Sequence, residues 1–386
     1  MKLIYFASAR IPGEKARSYQ IMKMCEAFAN YNVKVNLTLA FRLQTNVKLK
    51  QVKDVWSYYG IEKRFKITKL PSLDLVYFDV FTTRFSRLRF LTRQVSFAFS
   101  TLAYVLFKKA DVYYARDFHA LLALGFLRKK KVFYESHKFE PSVISLMKKG
   151  TVDGLIVITN RLKEIYLKEG VPKERILVAP DAVDLKMFDN PISKEAARGE
   201  LEIPLDKKVG CYTGHLFEWK GAHILAMSMK SLSDQYIACF VGGTEEDIAE
   251  FRKFIKQNEI PNPAIVGHVP PTIVPKYLAA ADVLVLPNIK KGLFEYTSPL
   301  KLFEYMASGR PIVASDLPSI REILSEENAV LVEPGNPEAL AEGIKRVLDD
   351  KELANKISQK AREDIIQYTW HNRAKMILKF IGGGGE

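Results

Sequence analysis

Residues 209–221 read VGCYTGHLFEWKG, an apolar run followed by a glycine, a short connection and a lysine–glycine pair. Such a run predicts a strand at Val209–Thr213, with a helix opening soon after it. A glycine at a strand end lets the backbone come close to a ligand, and a helix N-terminus offers free N–H groups. Gly214 and Lys220 are therefore candidates for binding a phosphate, although a tight turn with a solvated lysine would produce the same pattern.

The same alternation of short apolar runs with longer amphipathic segments extends along the whole chain. Arg17–Asn30, for example, carries apolar residues at helical spacing. The predicted strands of the first half are Leu3–Ala7, Val33–Ala40, Phe65–Lys69, Val112–Ala115, Val132–Glu135 and Leu155–Thr159. Those of the second half are Val209–Thr213, Ile237–Val241, Ala264–Val266, Val283–Leu286, Ile312–Ala314 and Val330–Val332. Alternation repeated this often predicts an α/β fold with two Rossmann-like, doubly wound parallel sheets.

A less regular, proline-containing connection near Ala182–Asp206 separates the two series. We place the domain boundary there, with an N-terminal domain at 1–183 and a C-terminal domain at 184–386. The length of 386 residues suits two domains better than one.

The composition narrows the class of protein. Three cysteines lie far apart in the sequence, which excludes a disulfide framework or a zinc ribbon and fits a reducing cytoplasm. The N-terminus lacks the layout of a signal peptide. The longest nearly uncharged apolar run, Val95–Phe107, is shorter than the roughly 20 residues that a spanning helix needs. We therefore expect a cytoplasmic chain that is not integral to a membrane.

The excess of positive charge lies entirely in the first half of the chain. Residues 1–183 hold 33 basic and 15 acidic side chains, whereas the remainder holds 25 and 29. The segment Arg84–Lys109 has no acidic residue and mixes aromatic residues with four arginines, Arg84, Arg87, Arg89 and Arg93. Such a segment predicts contact with an anionic membrane surface or an acceptor there, although a core helix with solvated arginines is the alternative. No nucleic-acid-binding motif accompanies it, so nucleic acid is not an expected partner.

A second group of candidate ligand-binding residues lies in the stretch 296–311, which reads YTSPLKLFEYMASGRP. Ser298 followed by Pro299 predicts a helix N-cap with proline at the first helical position. Lys301 and Glu304 then lie on one helix face, where a lysine for phosphate and a carboxylate for ribose hydroxyls would suit a nucleotide. An exposed ion pair is the simpler alternative.

Together these stretches resemble the retaining glycosyltransferases of family 4, which have the GT-B fold with two Rossmann-like domains facing a central cleft. The resemblance is dense from about Asp153 to Trp370. The family's diphosphate-binding Gly-Arg-Leu-x-x-x-Lys-Gly motif is matched at 214–221, and the end of its Glu-x7-Glu motif is matched at 304–311. Stretches at 180–184, 241–243, 267–269 and 280–288 are also similar to the family. We expect the C-terminal helix around 365–380 to join the N-terminal domain.

The resemblance implies a set of site residues. Those implied for donor binding are Gly13, Gly214, His215, Lys220, Gly267, His268, Val269, Thr297, Ser298, Pro299, Leu300, Lys301 and Glu304. Those implied for catalysis are His137, Glu295 and Lys220, with His119 as the alternative to His137.

The chain departs from the family at two positions. His215 replaces the usual arginine, and Lys301 is the candidate to supply the missing cation. Tyr296 stands where the first motif glutamate is expected, with Glu295 one position away.

The expected reaction is transfer of a sugar, with retention, from a UDP- or GDP-sugar to a hydroxyl or phosphate, including that of a lipid-linked glycan. The nucleotide sugar is a co-substrate, and no metal cofactor is expected because no metal-ligand cluster is visible in the sequence. A GT-B-fold sugar epimerase or hydrolase, or a nucleotide-sugar-binding protein without catalysis, remains an alternative. An NAD-dependent dehydrogenase is disfavoured because no Gly-x-Gly-x-x-Gly follows the first strand.

Overall fold

The computed structural model describes residues 1–74, 86–189, 192–261, 263–290 and 296–383. For residues 86–89 it describes the backbone alone. The chain divides into two compact units. The first comprises Met1–Pro180 with Trp370–Glu386, and the second comprises Asp181–Thr369. This division lies close to the boundary that the sequence predicts, and it assigns the C-terminal helix to the first unit.

The first unit is a parallel sheet with helices between its strands. Its described residues form a 7-stranded sheet of order β3-β2-β1-β4-β5-β6-β7. Its elements are β1 (Lys2–Ala7), α1 (Ala16–Asn30), β2 (Lys34–Ala40), α2 (Val47–Lys50), α3 (Val55–Tyr59), β3 (Lys66–Leu70), α4 (Ser86–Phe107), β4 (Val112–Ala115), α5 (Phe118–Phe126), β5 (Val132–Ser136), α6 (Pro141–Lys148), β6 (Gly154–Val157), α7 (Asn160–Lys168), β7 (Ile176–Val178) and, from the end of the chain, α16 (Trp370–Ile381).

The second unit repeats the plan. Its described residues form a 6-stranded parallel sheet of order β10-β9-β8-β11-β12-β13. Its elements are α8 (Lys194–Glu200), β8 (Lys208–Thr213), α9 (Ala222–Ser228), β9 (Tyr236–Val241), α10 (Glu245–Gln257), β10 (Pro263–Gly267), α11 (Val274–Ala280), β11 (Val283–Leu286), α12 (Leu300–Ser308), β12 (Ile312–Ser315), α13 (Pro318–Arg321), β13 (Val330–Val332), α14 (Pro337–Asp349) and α15 (Lys351–Asp364). The predicted pair of Rossmann-like domains is confirmed.

In each sheet the strand order reverses at the strand that comes first in the chain. The next two strands extend the sheet on one side of it, and the later strands extend it on the other. In the first unit β1 pairs with β2 on one side and β4 on the other. In the second unit β8 pairs with β9 and β11 in the same way. The carboxyl ends of these central strands are the switch points where open α/β sheets bind ligands.

Three local expectations are corrected. The three-residue strand β7 is missing from the predicted series. Pro299 is the N-cap of α12, which begins at Leu300, so Ser298 is not the N-cap. Ser298 Oγ instead accepts a hydrogen bond from the backbone N–H of Asp181, at 3.2 Å.

The helix α4 is longer than the apolar run Val95–Phe107 suggested. Its stretch Phe90–Phe107 is 18 residues long with a mean hydropathy of 1.2, so by length and composition alone it could cross a membrane. The expectation that the apolar stretch here is too short to cross a membrane is therefore wrong. The reason is that Arg93 interrupts the apolar run in the sequence without interrupting the helix.

Candidate functional site

The loops that follow β8, β9 and β11 meet closely at the carboxyl edge of the second sheet. Gly242 donates its backbone N–H to Gly267 O at 2.7 Å, and a Cβ on Gly242 would lie 2.4 Å from Gly214 O. A Cβ on Gly221 would lie 1.6 Å from Pro287 O, in the connection after β11. Glycine is required at these positions because the backbones are in contact and φ is positive at both Gly221 and Gly242.

The loop after β8 places Lys220 at this edge. A single 3-10 turn, Glu218–Lys220, precedes α9, which begins only at Ala222. Lys220 Nζ lies 5.1 Å from the ring centroid of Trp219. Burial lowers the pKa of Lys220 to about 8. A lysine held partly away from water is suited to bind an anion, because the anion stabilises the charged form that burial disfavours.

His215 is held by the loop itself. Its Nδ1 lies 3.0 Å from Asp247 Oδ2, and Asp247 with Thr244 forms the capping box of α10. The imidazole also stacks on Phe217, with ring centroids 4.9 Å apart, and Phe217 stacks on Trp219. His215 therefore orders the loop that carries Lys220, a role for which the sequence offered no signal.

Lys301 is the second cation at this edge. Its side chain is buried, and Nζ lies 3.7 Å from the ring centroid of Tyr212. Within the part of the chain that the structure describes, Nζ has no hydrogen-bond partner. Burial lowers the pKa of Lys301 well below its usual value, and the charge of Lys220 lowers it further. The two lysines therefore repel each other.

Glu304 lies one turn after Lys301 on α12, but the two do not form the exposed ion pair that was the simpler alternative. Burial raises the pKa of Glu304 to about 7, against the opposing charge of Lys301. The next residue, Tyr305, fixes the helix to the sheet, because its hydroxyl accepts a hydrogen bond from Thr213 N at 2.8 Å. Hence α12 brings a cation and a carboxyl group to the end of β8.

Two further polar atoms on the β11–α12 connection lack hydrogen-bond partners among the described residues. They are Asn288 Oδ1, on a side chain that is 1% exposed, and Thr297 Oγ1. Buried polar atoms are ordinarily satisfied, so unsatisfied ones at a strand edge indicate a place for a ligand. Asn288 was absent from the predicted site, although it directly follows a buried strand and a proline.

The remaining predicted donor residues are distributed unevenly around this edge. Gly267 ends β10, and its carbonyl oxygen accepts the hydrogen bond from Gly242 N at this edge. His268 is the next residue along the chain. Val269 is half-buried and packs against the hydrophobic core of this unit. Pro299 and Leu300 form the start of α12. Glu295 lies outside the described residues.

In the first unit, His137 lies immediately after β5. Its Nε2 is 2.7 Å from Glu135 Oε1, and its side chain is 19% exposed. Burial lowers the pKa of His137 to about 3, and the charge of Arg116 acts in the same direction. The imidazole is therefore neutral, and the carboxylate partner assigns the proton to Nε2, which leaves Nδ1 as an acceptor.

Glu135 is itself held by a buried network. Its carboxylate accepts from Tyr114 OH at 2.6 Å, from Tyr5 OH at 3.3 Å and from Arg373 Nη2 of α16 at 2.9 Å. Burial raises the pKa of Glu135, but the charge of Arg373 and the bond to His137 outweigh it and hold the pKa well below its usual value. Sequence reasoning missed Arg373 because nothing local connects it with residue 135.

Gly13 lies in the loop between β1 and α1. Its backbone N–H donates to Tyr59 OH at 2.8 Å, and a Cβ there would lie 2.5 Å from Arg10 O. The packing of the loop itself therefore requires glycine, independently of any ligand.

The predicted membrane arginines are only partly described. Arg84 lies outside the described residues, as do the side chains of Arg87 and Arg89. Arg93 is turned inward, with a side chain 13% exposed and Nη1 3.6 Å from Asp74 Oδ1. It is paired with a carboxylate within the unit and does not present its charge to a surface, which corrects the expectation for Arg93.

Comparison with known families finds a match over most of the second unit. Residues 193–364 match the model of the family described as glycosyl transferases group 1. A putative teichuronic acid biosynthesis glycosyltransferase, TuaC of Bacillus subtilis, is 29% identical over 51% of this chain and 47% of its own length. D-inositol 3-phosphate glycosyltransferase of Corynebacterium urealyticum is 25% identical over 70% of this chain and 66% of its own length. The chain thus spans about half to two thirds of the length of these curated relatives.

Solved structures are similar along the entire chain. Sucrose-phosphate synthase from Thermosynechococcus elongatus superimposes with a TM-score of 0.78 at 19% identity, covering 99% of this chain and 98% of that one. Anabaena Alr3699/HepE, in complex with UDP and glucose, superimposes with a TM-score of 0.74 at 17% identity, covering 100% of both chains. At these identities the likeness concerns the fold alone, and it confirms the expected GT-B fold.

Proposed function

Because residues 193–364 match the model of the glycosyl transferases group 1 family, we propose that this chain transfers a glycosyl unit from a nucleotide diphosphate sugar to a hydroxyl or phosphate acceptor. The observation that carries the proposal is the pair Lys220 and Lys301. The pKa of each lysine is lowered by burial, and Lys301 Nζ has no hydrogen-bond partner in the described residues. Two lysines that repel each other are both stabilised by a bound anion, which relieves the repulsion.

The diphosphate is the group that fits these cations. When the bond between the anomeric carbon and the diphosphate oxygen breaks, the electron pair leaves with the diphosphate, whose negative charge grows. Lys220 and Lys301 stabilise that charge most strongly in the transition state. Their charges are already in place in a site shielded from water, so no solvent or side chain has to rearrange as the negative charge develops. In this proposal Lys220 acts both in binding and in catalysis.

The nucleoside is assigned to the remaining polar groups of the same edge. Glu304, with a pKa of about 7, accepts hydrogen bonds from ribose hydroxyls once it is ionised. Asn288 and Thr297 are within the same connection and have unsatisfied oxygens. Of the two candidate nucleotides, UDP is to be tested first, since UDP is bound in the solved structure of Anabaena Alr3699/HepE.

We further propose that the reaction proceeds with retention, that it needs no metal, and that His137 contacts the donor sugar through its unprotonated Nδ1. These points follow from the resemblance to family 4 and from the neutral state of His137. Glu295 remains the candidate for a sugar hydroxyl contact.

The direct test is binding followed by product analysis. A UDP- or GDP-sugar that binds should raise the melting temperature, and a ligand at 100 times its dissociation constant adds about 2.7 kcal/mol to the free energy of unfolding. With membrane extract as the source of acceptors, the proton coupling of the new linkage should show the anomeric configuration of the donor. An inverted product would contradict retention. Release of free or epimerised sugar in the absence of acceptor would favour the hydrolase or epimerase.

A further inference from the structure

The outward face of α4 is apolar. Leu91, Val95, Phe99, Ala103 and Leu106 recur every three or four residues and are all exposed. They therefore form one row along the helix. Phe99 is 68% exposed, Leu106 is 55% exposed, and Phe107 at the end of the row is 85% exposed. We call Leu91, Val95, Phe99, Leu106 and Phe107 the α4 face.

The inward side of the same helix is partly polar. Gln94 and Thr101 are buried, and Gln94 Nε2 donates to Asp117 Oδ2 at 3.4 Å. Ser96 Oγ accepts from Leu73 N at 2.9 Å, and Ser100 Oγ donates to Pro71 O at 2.6 Å. A helix that faced water would carry its polar residues outward. On α4 the exposed row is apolar instead, and Gln94 and Thr101 are buried beside Phe97 and Val105, which indicates apolar surroundings for the exposed row.

These contacts also show how α4 lies. They fix it to the chain after β3 and to the N-cap of α5, and Asn36 of β2 donates to Tyr104 OH. A helix bonded in this way along its length is part of the first unit. Although Phe90–Phe107 could span a membrane by length and composition, its attachments fit a helix that lies along a surface.

The α4 face continues into a basic edge. The helices α4 and α5 precede the neighbouring parallel strands β4 and β5, so their C-terminal ends lie at the same edge of the sheet. Phe126, which ends α5, is 77% exposed. The residues that follow the two helices are basic and mostly exposed, and we call them the basic edge: Lys108, Lys109, Arg128, Lys129, Lys130 and Lys131. In the sequence from 86 to 116 the one acidic residue is Asp111.

We propose that the α4 face docks on an anionic lipid bilayer, with its apolar side chains at the acyl boundary and the basic edge against the lipid phosphates. Apolar insertion and attraction to anionic headgroups combine in such docking. A second copy of the chain is the competing occupant. A two-fold interface places the same patch on both partners, and both ends of α4 are basic in sequence, so self-association would bring like charges together.

The test is sedimentation of the full chain with phosphatidylcholine vesicles that contain or lack phosphatidylglycerol. We expect binding to the anionic vesicles and a fall of about tenfold or more in the partition coefficient for F99Q/L106Q/F107Q. The matched control is L205Q/I366Q, since Leu205 and Ile366 are 66% and 62% exposed and lie in the second unit. The control should bind as the unmodified chain does.

A second variant keeps the test decisive if the first folds poorly. K108E/K109E should lose binding to anionic vesicles by about tenfold or more, whereas K345E/R346E, two exposed basic residues of α14, should not. Failure of the unmodified chain to sediment with anionic vesicles, or equal sedimentation of F99Q/L106Q/F107Q, would overturn the proposal. So would a dimer in sedimentation velocity that F99Q/L106Q/F107Q converts to monomer, because the face would then be covered by a second copy. None of these measurements depends on glycosyl transfer.

Discussion

Arg373 donates a hydrogen bond to Glu135 at 2.9 Å although the two residues are 238 positions apart, and neither side chain is more than 2% exposed. The bond ties α16, at the end of the chain, to β5 of the first sheet. Arg373 also donates to Pro180 O, at 2.8 Å. Because Glu135 holds His137, the C-terminal helix contributes to the position of that imidazole.

The first prediction is that Arg373→Met lowers the free energy of unfolding by about 3–5 kcal/mol, because it leaves the Glu135 carboxylate buried without its cation. Denaturation in urea, followed by circular dichroism, measures the change. The control is Arg321→Met, whose ion pairs with Asp316 and Glu326 are exposed and screened by solvent, so that the variant should lose much less stability. Equal losses in the two variants would show that the buried pair has no special role.

The second prediction concerns nucleotide binding. Lys220→Ala and Glu304→Ala should each weaken binding of UDP or GDP by about 1.5–3 kcal/mol while the fold persists, since each removes a charge-assisted hydrogen bond. Calorimetry measures the dissociation constants. Lys230→Ala, at an exposed position of the same unit, serves as the control. If both variants kept the affinity of the unmodified chain, the assigned site would be wrong.

The third prediction is a pH dependence of nucleotide-sugar affinity. Burial lowers the pKa of Lys220 to about 8 in the free protein. A bound diphosphate favours the protonated lysine, so affinity should fall as pH rises above about 8. Burial raises the pKa of Glu304 to about 7, so affinity should also fall below about 7, where its carboxylate is protonated. Calorimetry across this range should therefore show a maximum between the two values and net proton uptake at the alkaline side. Lys220→Ala should weaken the alkaline fall, and an unchanged profile would contradict the assignment.

The fourth prediction separates turnover from binding. His137→Ala should lower turnover more than it lowers nucleotide affinity, because the proposed contact of His137 is with the sugar and not with the diphosphate. Steady-state rates and calorimetry on the same preparation measure both. His371→Ala is the control, since that exposed histidine contacts Tyr31 OH and no part of the proposed site. A parallel loss of affinity and turnover in His137→Ala would argue for a general structural role.

The fifth prediction concerns the contact between the loops after β8 and β11. Gly221→Ala should destabilise the protein and abolish nucleotide binding, because the new Cβ would overlap Pro287 O. Gly335→Ala is the matched control: Gly335 has nearly the same φ, +79° against +78°, but open space around it. It should cost only the strain of a left-handed alanine, about 1–2 kcal/mol. Melting temperatures distinguish the two, and equal shifts would mean that the loops can separate.

Much of the fold could be predicted because the signals for it are local. Apolar runs such as Val209–Thr213 and the helical spacing in Arg17–Asn30 depend on residues within a few positions of each other. The start of α12 was misplaced because Ser298 bonds to Asp181, a distant partner that only the fold supplies.

The sequence by itself determined the two parallel sheets, the glycine-bearing strand ends, the lysines and glutamate of the second unit and the excess of basic residues in the first half. The tertiary structure alone decided which of these residues are buried and what they meet. Lys301 lies over Tyr212 without a hydrogen-bond partner in the described chain, Arg93 turns toward Asp74, and Arg373 reaches Glu135. The tertiary structure alone also decided that the α4 face is exposed. Periodicity records which residues share a face, but burial and charge pairing depend on contacts between segments that are distant in the chain.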